Sequence, residues 1–110
     1  MIFITQGRYT EHALEGMLAK PEDRTVAFSQ LLSAAGARLI DAYWTMGESD
    51  FLVIVEAENE HEWMKILALT ASTGGLRDLK TMVAVTTADG EKAFEGARAL
   101  KASFHPAGED

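Results

Sequence analysis

L-I-D-A-Y-W-T-M-G-E-S-D-F-L-V-I-V-E-A, from Leu39 to Ala57, is the stretch whose reading decides the fold. Its first half, Leu39 to Met46, carries β-branched and aromatic residues in a two-residue rhythm, the pattern of a strand. Gly47-Glu48-Ser49-Asp50 then breaks the apolar pattern with four small or polar residues. Phe51 to Val55 follows with five consecutive apolar residues and neither Gly nor Pro. A run apolar on both faces belongs to a buried internal strand, and the alternating run before it to a strand nearer the edge.

Upstream, Ile2 to Tyr9 reads as another internal strand, with Ile2 and Ile4 on one face and Phe3 and Thr5 on the other. Thr10 is a natural N-cap, and Glu11 suits the first turn of the helix it opens. Leu14, Met17 and Leu18 give that helix an apolar face. Pro21 interrupts it, then starts a second segment with Glu22 and Asp23 in an acidic first turn. Phe28, Leu31, Leu32 and Ala35 follow the helical spacing, and Gly36 supplies the stop.

Downstream, Asn59 with Glu62 three positions on resembles a capping box. Trp63, Ile66, Leu67 and Thr70 share one helical face, ended by Gly74-Gly75. Leu79 to Thr87 reads as the last strand. Glu91 to Phe104 can form a short amphipathic helix through Phe94, Ala97 and Leu100, and residues 105–110 form a flexible tail. The order is β-α-β-β-α-β plus a C-terminal helix, an α+β chain of ferredoxin-like pattern with a four-stranded antiparallel sheet.

Such a sheet covers one face with its helices and leaves the other bare. In the strand from Leu39, the alternation sets Ile40, Ala42, Trp44 and Met46 toward the helices, away from Leu39, Asp41, Tyr43 and Thr45. Phe51–Val55 is apolar on both faces, so one apolar set is left without cover. A bare face of several hundred Å² exceeds what monomers usually tolerate. Sheet-on-sheet self-association with two-fold symmetry is therefore expected, as a homodimer or higher homo-oligomer. The competing arrangement folds the C-terminal helix back over that face.

The 110 residues suffice for one domain with a modest core. No cysteine is present, which excludes disulfide scaffolds and thiol chemistry. The N-terminus lacks the pattern of a signal peptide, and no apolar run approaches the ~20 residues of a membrane span. A soluble cytoplasmic protein without membrane contact is expected. Ten Lys/Arg against 17 Asp/Glu give a formal charge of −7, and the basic residues are scattered from Arg8 to Lys101, which argues against nucleic acid.

Three blocks of the sequence resemble the GYD domain family, which is grouped with the dimeric α/β-barrel folds. They are G-R-Y-T at Gly7–Thr10, L-L-S-A-A-G-A-R-L at Leu31–Leu39, and the run from Tyr43 to Ala57. The resemblance covers roughly residues 2–88 and implies a dimeric α/β-barrel, with no mechanism attached. The family's name describes a Gly, Tyr, Asp pattern. Here Gly47 and Asp50 are present, and Ser49 stands in the tyrosine position. The domain is accordingly placed at 1–88, with a helix at 89–104 packing on it.

Three residues are candidates for ligand binding: His12, Tyr43 and Asp50. His12 opens the first helix beside Arg8 and Tyr9, where a neutral imidazole could act as a base; a surface histidine in a first turn is the plainer alternative. Asp50 can cap the turn or present a carboxylate to a pocket. Tyr43 and Trp44 point to opposite faces and cannot share one pocket. His61 lies between Glu60 and Glu62 and His105 in the tail, so the histidines lack metal-ligand spacing, and no metal is assigned. No phosphate-loop or dinucleotide motif occurs, and no cofactor is assigned. Three functions remain: a non-catalytic small-molecule-binding or regulatory module; a cofactor-free enzyme of monooxygenase or isomerase type, suggested by fold analogy; and a structural subunit docking through its C-terminal helix.

Overall fold

A computed structural model describes residues 1–109; of the expected tail, Asp110 lies outside the described residues. Four antiparallel strands form one sheet in the order β2-β3-β1-β4, and four α-helices complete an α+β fold. Strand β1 spans Ile2–Tyr9, β2 Arg38–Trp44, β3 Phe51–Glu56 and β4 Leu76–Ala84. Helix α1 spans Glu11–Ala19, α2 Thr25–Ala34, α3 Glu60–Ser72 and α4 Thr87–Leu100. The two strands with apolar residues on both faces, β1 and β3, are the central pair.

Residues directly opposite each other in the register share a face. Phe3 stands opposite Val55, and Gly7 opposite Phe51, on the side covered by α2 and α3; Val83, also opposite Phe3, shares that side but stays exposed at the β4 margin. There Phe3, Val55, Leu32, Trp63 and Ile66 form one buried core. Ile4 stands opposite Ile54 and Met82, and Ile2 opposite Ala84, on the bare side.

The helix ends follow their capping chemistry. The Thr10 hydroxyl accepts the Ala13 N–H at 3.2 Å and donates to the Gly74 carbonyl at 3.0 Å, fastening α1 to the α3–β4 turn. Helix α2 ends at Gly36, whose φ of +74° is the left-handed conformation glycine takes readily; Ala37 N–H then bonds the Leu32 carbonyl at 2.8 Å. Asn59 caps α3 by accepting the Glu62 N–H at 3.0 Å. The Glu62 carboxylate bridges forward to Lys65 at 2.8 Å, so the capping box is half formed.

Four expectations are corrected. Helix α2 starts at Thr25, not at Pro21, because Asp23 accepts both the N–H and the hydroxyl of Thr25 and holds the preceding residues in a turn. Strand β4 begins at Leu76, three residues before Leu79, and ends at Ala84; Thr86 then caps α4, which starts at Thr87. The register of β2 shifts between Leu39 and Asp41, so Leu39 joins Ala42 and Trp44 on the helix side. Leu14 and Leu18 of α1 are exposed, Leu18 at 83%, and the helix turns Ala13, Gly16 and Met17 toward the sheet instead.

A second bulge lies in β4. Gln6 pairs with Lys80 but Arg8 with Arg77, and Asp78 takes a φ of +54°. The sequence places α4 on the same domain; in the single chain every residue of it except Gly90 is exposed. No helix among the described residues is long and apolar enough to cross a membrane.

Candidate functional site

Between the helices and the sheet lies a cleft of about 1020 Å³, onto which α1 presents two small residues, Ala13 and Gly16. One wall is aromatic. The Tyr9 ring lies 5.0 Å from that of Phe51 and 5.2 Å from that of Trp44, centroid to centroid, each pair tilted. Phe28 and Leu31 of α2 and Leu67 and Thr70 of α3 also face the space.

The floor is polar but satisfied. Thr5, 1% exposed, accepts the Trp63 Nε1–H at 3.2 Å and shares a 2.7 Å hydrogen bond with the Thr81 hydroxyl. Lys20, Asp23 and Arg24 sit at the α1–α2 side. Arg24 pairs with Glu22 at 2.8 Å, and hydrogen bonds from Thr25, first from its hydroxyl and then from its N–H, hold the Asp23 carboxyl below its ordinary range. Burial pushes the Tyr9 phenol up; Arg24 opposes this and Asp50 adds to it. At neutral pH Tyr9 is therefore a protonated hydrogen-bond donor on the cleft wall.

The three candidates from the sequence are not brought together. His12 is exposed in the first turn of α1 and lies outside the cleft lining. Asp50 is also outside it, its Oδ2 accepting the Tyr9 N–H at 3.0 Å. Tyr43 stands opposite Leu52 at the β2 margin of the cleft, 54% exposed, and donates its hydroxyl to Asp41. That bond raises the Tyr43 phenol and lowers the Asp41 carboxyl, which also accepts the Ala42 N–H. Although Tyr43 and Trp44 face opposite sides of the sheet, both border this cleft at its edge strand, against the expectation that they cannot share one.

Tyr9, Trp44 and Arg24 were not singled out as site residues, yet they border one cleft. Alternation from Phe3 and Thr5 already sets Tyr9 on the helix side, and that signal could have found it. Arg24 comes from an irregular turn and carries no such signal. Ser49 donates to Gln6 Oε1 at 3.3 Å, and its carbonyl accepts the Thr45 hydroxyl at 2.7 Å, both bonds holding the β2–β3 connection. Among the described residues no group of three His, Cys, Asp or Glu side chains could hold a metal ion.

A search of curated proteins finds no match for the chain. The family model of the GYD domain matches residues 3–94, a span that runs from β1 through the whole sheet and into the first half of α4. With that match over most of its length, the chain belongs to the GYD domain family.

Proposed function

We propose that this chain is a non-catalytic small-molecule-binding or regulatory module that self-associates in the manner of a dimeric α/β-barrel. The aromatic-walled cleft of about 1020 Å³ carries the binding half of this reading. It is roomy enough for a drug-sized molecule, it is largely apolar, and it offers few polar groups, the pattern of small-molecule sites. Tyr9 supplies a donor that would orient a ligand against the Trp44 and Phe51 rings. A cofactor-free enzyme would need a base at the substrate. His12 and Asp50, the bases considered for that role, lie outside the lining, which favours binding over catalysis.

The strand order β2-β3-β1-β4 is the support for a ferredoxin-like arrangement. The bare face, with Ile2, Ile4, Ile54, Met82 and Ala84, is the support for sheet-on-sheet pairing of two copies in an acidic cytoplasmic protein.

A ligand-observed NMR screen of small aromatic and aliphatic fragments tests the binding reading. Ala13→Trp, which projects a ring into the cleft from α1, should weaken the signals that the parent chain gives. Fragments that bind this variant equally well, or none binding the parent, would refute it.

A further inference from the structure

Helix α4 stands apart from the rest of the molecule. Phe94 is 79% exposed, Leu100 66%, and Phe104 just beyond the helix 72%. The chain measures 65 Å along its longest axis and has a radius of gyration of 18.7 Å, against about 13 Å for a compact chain of this length. A lone helix of this length is marginal in water, and each of Gly90 and Gly96 costs about 1 kcal/mol against Ala. Local propensity alone does not account for it, and cover of its apolar residues by another surface would supply what is missing.

The pattern of that cover is legible. Gly90, Ala93, Phe94, Ala97 and Leu100 fall on one helical stripe. The first half of the helix carries Asp89 and Glu91 against Lys92, and Glu95 follows just beyond it, before Arg98 and Lys101. The root of α4 is therefore acidic.

The bare sheet face carries the complement. Arg8 stands directly opposite Arg77, and Lys80 follows on the same face opposite Gln6. Like charges opposed across a strand pair repel. The Arg8 Nε is buried and has no hydrogen-bond partner among the described residues. This basic end lies at the far end of β1 and β4 from Ile2 and Ala84, beyond which α4 departs.

We propose that α4 is an arm that grips a second copy of this chain, its acidic root meeting the Arg8–Arg77–Lys80 end of that copy's bare face while its apolar stripe lies against the copy beyond. The proposal rests on the sheet-on-sheet pairing above and adds the arm to it. A two-fold axis lying between the sheets and across the strands reverses strand direction but keeps lateral order. It sets β4 over β4 and brings the Ala84 end of one sheet above the Arg8–Arg77 end of the other. The two arms then close one self-complementary interface.

Sedimentation equilibrium of the full chain across the micromolar range tests this. Phe94→Asp, Arg77→Glu and Glu91→Arg should each weaken the dimer at least about tenfold, and the double variant R77E/E91R should regain most of the loss. Near-ultraviolet circular dichroism of the buried Trp63 checks that the domain of each variant stays folded, whereas the far-ultraviolet helical signal should fall as α4 loses its cover. A dimer indifferent to Phe94→Asp would overturn the arm while leaving the paired sheets standing. A dimer weakened by Phe94→Asp but with no recovery in the double variant would overturn the placement on the basic end. A full chain that stays monomeric throughout would overturn both the arm and the pairing.

Discussion

Asp50 accepts the Tyr9 N–H on its carboxylate at 3.0 Å, donates its own N–H to Gly7 at 2.8 Å and receives the Thr45 N–H on its carbonyl at 2.8 Å. One residue thus fastens the end of β1 to the β2–β3 connection. Asp50→Ala should lower stability by about 1–2 kcal/mol in urea denaturation, and Asp50→Asn by clearly less, since the amide oxygen still accepts. Equal losses would mean that charge, not the hydrogen bond, matters there. The two tyrosines give a pH prediction. Burial raises Tyr9 and the bond to Asp41 raises Tyr43, both above the ordinary 10.0. A raised phenol favours the neutral form in the fold, so its contribution is complete below the unfolded value and is lost as pH rises through the folded one. Absorbance titration should show both phenols ionising above pH 10.0, and Asp41→Asn should bring one of them down while leaving the other. At this scale the sequence exposes the faces of residues but not their meetings: Tyr9, Arg24 and Trp44 are separated by long stretches of chain, and only the fold brings them to one cleft.

Elements were legible where capping and alternation agree. Strand β1, the Thr10 and Asn59 caps and the Gly36 stop all follow from local chemistry. The two misses in the strands share a cause. A bulge adds one residue and reverses the face of everything beyond it, and nothing in the composition around Ile40 or Asp78 announces one. The same irregularity hid the start of β4, because Leu76-Arg77-Asp78 breaks the two-residue rhythm just where the strand begins. Asp78 sits at φ +54°, tolerable for Asp and natural for Gly. Asp78→Gly should therefore hold or raise the melting temperature, whereas Asp78→Val should lower stability by about 1–2 kcal/mol. Gly7 gives a companion test at the facing position. A Cβ there would come within 2.6 Å of both Leu79 and Phe51, so Gly7→Ala should cost about 1–3 kcal/mol and disturb the Phe51 ring that packs against Tyr9.

For the whole molecule, the bare sheet face and the uncovered helix α4 describe a chain that holds much apolar surface in reserve. If two copies share that surface, the folded state is stabilised by association, and the melting temperature should climb with protein concentration. A melting temperature flat over a hundredfold range of concentration would contradict it. The two bulges have a further consequence at this scale. They lie in β2 and β4, the outer strands, whose outward N–H and C=O groups would otherwise offer a straight template for another strand. Growth by adding strand to strand is open-ended and leads to fibrils, whereas pairing through faces closes on itself. By kinking both rims of the sheet, Ile40 and Asp78 blunt the edges at which strand-on-strand growth would start.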